Sequence, residues 1–258
     1  MSASIFDLQG RVAVVVGGTT GIGRSLSLGL AEAGADVVAS ARRPEQVQAI
    51  ATEIEARGRK TLLCPSDVTD RVSLEALRDR VLDRFGQVDI LVNCAGMTKR
   101  APTLDFPEED WNRIIETNLT GVLRGCQIFG RPMLDRGYGR IINIASLTTF
   151  MGMYEVAAYS ASKAAVGALT KVLAAEWSKR GVLVNAIAPG VFRTALNSDL
   201  LDNTERGKEL LMRTPAGRFG KTEELVGAAV YLSSDAASYV AGEILAVDGG
   251  FLASGVNR

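Results

Sequence analysis

The chain has 258 residues, 47% of them hydrophobic, with 29 basic and 29 acidic side chains that cancel at neutral pH, and it has no histidine. That length supports a substantial core in one α/β unit spanning residues 1–258, and the balanced charge offers neither a nucleic-acid stripe nor a membrane-surface patch. The missing imidazole excludes a His-based triad, a histidine-liganded zinc site and a histidine general base, so no metal site is expected.

Cys64, Cys94 and Cys126 are odd in number and far apart, and read as structural thiols. The stretch Met1 to Gly10 has no basic region followed by an apolar run, and no segment reaches membrane-spanning length. A cytoplasmic protein whose partners are small molecules and copies of itself is expected, with neither nucleic acid nor membrane among them.

Strand-like apolar runs alternate with helical patterns and glycine stops along the whole chain, which predicts βαβ units around a parallel sheet. Arg11 to Val16 is the first predicted strand; it feeds a glycine-rich turn, Gly17 to Gly23, and an Ala/Leu-rich helix stopped at Gly34. Asp36 to Ser40 is the second strand, Pro44 opens a helix running to Gly58, and Lys60 to Cys64 is the third strand. A helix from Asp70 to Phe85 ends at Gly86, and Val88 to Val92 is a fourth strand entering Asn93-Cys94-Ala95-Gly96. A long helical region from about Pro107 to Leu134 breaks near Asn118, and Tyr138 to Ala145 is the fifth strand. The helix holding Tyr159 and Lys163 runs through Trp177 to Gly181; Val182 to Ala188 is the sixth strand. An irregular segment after Pro189-Gly190, a helix from Thr222 to about Ser233 and a strand from Glu243 to Val247 complete the series, with no repeat or linker to mark a domain boundary.

Ligands of such sheets bind off the carboxyl ends of the strands, and the unusual loops of this chain fall there. Gly17-x-x-x-Gly21-x-Gly23 follows a strand and opens a helix, the setting in which glycines let the backbone approach a pyrophosphate at a helix N-terminus. An acidic residue at the end of the second strand would hold a ribose 2′-hydroxyl, but the chain reads Ser40-Ala41-Arg42-Arg43. Two guanidinium forks suit a 2′-phosphate, so NADP(H) is preferred and NAD(H) remains possible.

Ser146 ends the fifth strand, and Tyr159 and Lys163 lie four residues apart, stacked on one helix face. A cation about 4 Å from the phenol at an effective dielectric of about 20 contributes about 4 kcal/mol, enough to draw a pKa near 10 toward about 7. The pair is thus expected to act as a general acid/base.

With Asp67-Val68, Asn93 to Gly96, Asn118, Pro189-Gly190 through Thr194 and Asp248-Gly249-Gly250 added, the chain resembles the short-chain dehydrogenase/reductase family along essentially its whole length. The resemblance implies a Rossmann-type doubly wound sheet of seven mostly parallel strands with helices on both faces, a nicotinamide cofactor, and a homotetramer or homodimer. It implies that Tyr159 passes a proton to or from the substrate oxygen, that Ser146 hydrogen-bonds that oxygen, that Lys163 binds the nicotinamide ribose, and that Asn118 holds a water linking Lys163 to solvent. It also assigns the cofactor to Gly17, Thr19, Thr20, Gly21, Ile22, Gly23, Arg42, Arg43, Asp67, Val68, Asn93, Ala95, Gly96, Tyr159, Lys163, Pro189, Gly190, Val191 and Thr194. Val16 stands where the family commonly has a threonine that ties down the glycine loop, so a slightly looser loop is expected.

Leu147, Met151, Met153, Tyr154, Phe192 and Leu196 are candidates for a substrate wall, and Lys99, Arg100 and Arg193 for pairing with a substrate carboxylate. The segments 101–111 and 213–226 look most like the gluconate 5-dehydrogenase subgroup, which makes a sugar acid the first substrate choice and a 3-oxoacyl thioester the second. A protein that senses NADP(H) without catalysis is the reading from another class. Ala164, Gly167 and Ala168 are small enough to admit a partner helix.

Overall fold

A computed structural model describes residues 4–194 and 198–255. The strands are β1 (Val12–Val16), β2 (Asp36–Ser40), β3 (Ile90–Asn93), β4 (Gly139–Ile144), β5 (Val182–Pro189) and β6 (Ile244–Val247). Between them lie α1 (Gly21–Glu32), α2 (Pro44–Glu55), α3 (Arg71–Phe85), α4 (Glu108–Ile115), α5 (Gly121–Arg136), α6 (Ala157–Trp177), α7 (Ser198–Leu201), α8 (Glu205–Met212) and α9 (Val226–Ser233). The six strands form one sheet in the order β2-β1-β3-β4-β5-β6, every pair parallel.

Side chains alternate across the sheet with period two, and both sets are apolar because both faces are covered. Ala13 and Val15 of β1 join a core with Leu26 and Leu30 of α1 and Ala229 and Leu232 of α9. Val12, Val14 and Val16 join the opposite core with Leu74 and Leu77 of α3, Phe129 of α5 and Val166 of α6. Doubly wound packing therefore follows from the unbroken apolar strands. Among the described residues no helix is long and apolar enough to cross a membrane.

The seven-strand expectation needs correction, because Lys60 to Cys64 is not a strand. This segment runs along the outer edge of β2, where Val37 N–H donates to the Lys60 carbonyl (3.0 Å) and Ser66 N–H to the Ala41 carbonyl (3.1 Å). Between those points the Cys64 carbonyl accepts from the Ser40 hydroxyl (2.5 Å) instead of from a ladder N–H. Its apolar residues match a strand, yet the register is held by a side chain. Elsewhere the expected helix break at Asn118 is a π-helical turn, Glu116–Thr120, between α4 and α5; such turns cluster at functional sites.

Candidate active site

Beyond the ends of β1 and β3 two loops meet backbone to backbone. Gly17 has φ +83°, and a Cβ there would lie 2.5 Å from the Ala95 nitrogen; one on Gly23 would lie 2.0 Å from the Gly17 carbonyl oxygen. Only glycine fits these positions. α1 starts without a side-chain cap or an acidic residue in its first turn, so its N-terminal N–H groups and dipole are available to an anion. The cradle fits a pyrophosphate by shape and by electrostatics.

Ser27, unremarked in the sequence, secures the loop: its hydroxyl lies 3.0 Å from the Gly18 carbonyl and 2.9 Å from that of Gly23. It supplies an anchor that Val16, buried in the core, lacks. Thr19 is buried and bonds Gln46 at the start of α2 (3.2 Å), Gly21 sits beside Thr194, and Arg42 and Arg43 are exposed just beyond β2. Thr20 and Ile22 frame the start of α1, while the Asp67 carboxylate closes a local turn by accepting from the Thr69 N–H and hydroxyl. Val68 packs against Gly121 and Gly190 against Asp248; Val191 links to Gly220 through its carbonyl.

Asn93 departs from expectation. It is 3% exposed, and its amide donates to Asn143 of β4 (2.9 Å) and lies 3.4 Å from Cys126 of α5. A strand residue projects to one face, and this one projects into the layer under α5, away from the glycine loop. Its signal, an asparagine at a strand end, reads the same for either face. Ala95 and Gly96, past the strand end, remain at the cleft: a Cβ on Gly96 would stand 3.5 Å from Asn118 Oδ1 and 3.8 Å from Lys163 Nζ.

Ser146 follows β4 directly, and its hydroxyl accepts from the Thr148 N–H (3.2 Å) while Thr149 Oγ1 accepts from the Ser146 N–H (3.3 Å). Thr149 in turn donates to the Lys163 carbonyl (3.0 Å), tying the β4 end to α6. Gly167 permits this closeness, since a Cβ on it would meet Thr149 Cγ2 at 2.6 Å. Its smallness serves an internal contact, whereas Ala164 and Ala168 are exposed.

Lys163 is 4% exposed, and its Nζ donates to the Ile144 carbonyl (2.6 Å), which engages one of three ammonium protons. Burial lowers its pKa to about 8, against a small opposing effect of Cys94. The Tyr159 pKa is raised: burial of the phenol dominates, and the hydrogen-bonding contact with Ser146 pulls it only part of the way back. The expected drop toward neutrality is therefore absent from the protein alone. Nζ lies 5.7 Å from the Tyr159 ring centroid and is turned to the strand carbonyl, so desolvation of the phenol is opposed only by the Ser146 contact. Burial also pushes Cys94 to about 11 and Cys126 to about 12, which keeps both as inert thiols.

Asn118 is fully buried in the π turn. Its Oδ1 accepts from the Met97 N–H (2.8 Å), and its Nδ2 donates to the Met97 carbonyl (2.8 Å) and to Ser162 Oγ (3.2 Å). The visible work of Asn118 is to fasten the loop after β3 against α6.

The rim differs from the sequence expectation. Phe192 is 5% exposed and packs on Gly220 within the core, and Leu147 is buried, so neither forms an open wall. Met151 and Met153 are partly buried and Tyr154 is 74% exposed, which leaves these three at the mouth; Leu196 lies outside the described residues. Each proposed cation is already paired: Lys99 with Asp110, Arg100 with Glu155 (2.5 Å) and Arg193 with Asp202 (2.5 Å). The pairing partners lie far enough along the chain that spacing did not reveal them.

Fold and site together define the short-chain dehydrogenase/reductase class, and the chain belongs to that family. The family model described as "Enoyl-(Acyl carrier protein) reductase" matches residues 16–252. The 2-dehydro-3-deoxy-D-gluconate 5-dehydrogenase of Bacillus subtilis (strain 168) is 44% identical over 249 residues, covering 96% of this chain and 96% of that protein. The gluconate 5-dehydrogenase of Gluconobacter oxydans (strain 621H) is 42% identical over 97% of this chain and 98% of its own length. A crystal structure of a gluconate 5-dehydrogenase from Burkholderia cenocepacia J2315, in complex with NADP and tartrate, is 40% identical, with a TM-score of 0.93 and coverage of 96% and 98%. The protein is an oxidoreductase acting on CH–OH groups.

Proposed function

We propose that the protein interconverts a secondary alcohol and a ketone on a sugar acid, with NADP(H) as redox partner. The observation that carries this reading is the convergence of Ser146, Tyr159 and the buried Lys163 ammonium at the end of β4, beside a glycine cradle that fits a pyrophosphate. The nicotinamide, when bound, supplies or accepts the hydride. Tyr159 gives its phenolic proton to the ketone oxygen in reduction and takes the alcohol proton in oxidation, and Ser146 donates a hydrogen bond to that oxygen. Lys163 has two ammonium protons beyond the one given to Ile144 with which to hold ribose hydroxyls, and a cation there favours the phenolate. Asn118 keeps Gly96 and Met97 in place and gives Lys163 a water path to solvent. Arg42 and Arg43 take the 2′-phosphate.

The sugar-acid choice is supported by the relatives and by the Burkholderia complex, which holds NADP with tartrate, itself a hydroxy acid. Reduction of a 3-oxoacyl thioester is the second reading, favoured by the acyl-carrier wording of the family model and by the exposed Phe150, Tyr154 and Met212. A panel of sugar acids, acetoacetyl thioesters and simple ketones with both cofactors tests the proposal. Turnover of a sugar acid with NADP(H) is expected; failure of every sugar acid would overturn the substrate, and NADPH binding without turnover of any carbonyl would favour a sensor.

A further inference from the structure

We propose that Arg206 binds the carboxylate of the substrate; this rests on the sugar-acid reading above. At the mouth of the cleft Lys99, Arg100 and Arg193 are neutralised by Asp110, Glu155 and Asp202. Arg206, in the first turn of α8, has no carboxylate partner among the described residues. Its Nη1 donates to the Tyr154 carbonyl (3.3 Å), and its Nε is buried without an acceptor. A buried N–H with no partner is costly and is ordinarily matched by something. Protein atoms close Nε off from solvent, so an incoming carboxylate meets the Nη side of the planar guanidinium, whose charge no carboxylate among the described residues offsets.

The position also suits that role. Tyr154 belongs to the loop joining Ser146 to Tyr159, and the next residue, Glu155, is held by the Arg100 side chain and the Ala101 N–H. Arg206 therefore meets the loop that joins Ser146 to Tyr159. Two features fix it there: Thr204 Oγ1 caps α8 by accepting from the Gly207 N–H (2.9 Å), and Gly207 packs so tightly that a Cβ would lie 2.0 Å from the Leu201 carbonyl oxygen. Its neighbour Glu205 is occupied by Lys208 (2.8 Å), so the helix start does not supply its own counter-charge.

The test compares 5-keto-D-gluconate with its neutral methyl ester, using NADPH and the intact protein. Wild type is expected to prefer the acid. Arg206→Gln should raise KM for the acid at least about tenfold, consistent with loss of a charged hydrogen-bonded contact, while kcat, KM for NADPH and KM for the ester stay close to wild type. A merely structural role would raise KM for acid and ester together, and that result would overturn the proposal. Should the glutamine variant fail to fold, Arg206→Lys keeps the charge without the fork; a selective KM rise for the acid supports the assignment, and an equal change for both substrates refutes it. If wild type turns over no sugar acid at all, the substrate reading fails and the inference falls with it, whereas an acid preference untouched in both variants overturns the Arg206 assignment alone.

Discussion

The ledge that carries Ser146, Tyr159 and Lys163 and the rim that faces it are held in different ways. On the ledge, polar side chains bond to backbone: Lys163 to the Ile144 carbonyl, Thr149 to the Lys163 carbonyl, Asn118 to both polar groups of Met97. Ile144, Lys163 and Asn118 are buried in a strand, a helix and a π turn, so the positions of Ser146, Tyr159 and Lys163 are set by the fold. On the rim, partly or fully exposed side chains pair with one another, and Glu155 sits at φ +64°, a left-handed conformation that costs a non-glycine residue about 1–3 kcal/mol. Under the proposed function the ledge carries the chemistry and the rim the selectivity, since a change of one rim partner re-aims a charge without disturbing the sheet.

Four changes break or sharpen this contrast. The largest effect is expected on the ledge: Tyr159→Phe removes the proton donor and should lower kcat by about 10²–10⁴ while the dissociation constant for NADPH, measured by fluorescence, stays nearly unchanged. Retained turnover would show that the proton comes from elsewhere. At the cofactor end, Arg42→Ala should raise KM for NADPH about 10- to 100-fold, matching the about 1.5–3 kcal/mol of a hydrogen bond to a charged group, with little change for NADH. Equal changes for both cofactors would contradict a 2′-phosphate contact.

The third effect is on pH. Lys163 has a pKa lowered to about 8, so its ammonium form persists below that pH and is lost above it. The kcat/KM for NADPH should therefore be level at lower pH and fall above about 8. Tyr159 is raised instead, so its proton remains in place for reduction over the same range, while oxidation, which needs the phenolate, gains as pH rises. A reduction profile level well beyond pH 8 would remove Lys163 from the account. The smallest effect is on the rim: Glu155→Gln leaves Arg100 without its carboxylate and should lower KM for an acidic substrate about two- to fivefold, as expected for an exposed ion pair worth up to about 1 kcal/mol. No change in KM would mean that Arg100 does not face the substrate.

The ledge was largely legible in the sequence because its parts are short, local patterns: a glycine turn after a strand, a tyrosine and lysine one helical turn apart, a serine at a strand end. The parallel sheet was legible for the same reason, since unbroken apolar runs report burial on both faces. What escaped depends on contacts distant in the chain. Lys60 to Cys64 has strand composition, but its pairing with β2 is interrupted by the Ser40 hydroxyl. The tyrosine–lysine spacing suggested a depressed phenol pKa, yet spacing carries no information about burial, and burial prevails in the protein alone. Arg100 and Arg193 looked like carboxylate binders until their partners Glu155 and Asp202 were visible, and Arg206, Ser27 and Thr149 carry no motif at all.

The central claim is that this ledge reduces the ketone of a sugar acid with NADPH. The most direct measurement is kcat/KM for 5-keto-D-gluconate against an acetoacetyl thioester, followed by NADPH oxidation, with the reduced product identified by mass spectrometry. The account predicts a clear preference for the keto acid and formation of gluconate or its epimer; turnover of the thioester with none of the keto acid would contradict it.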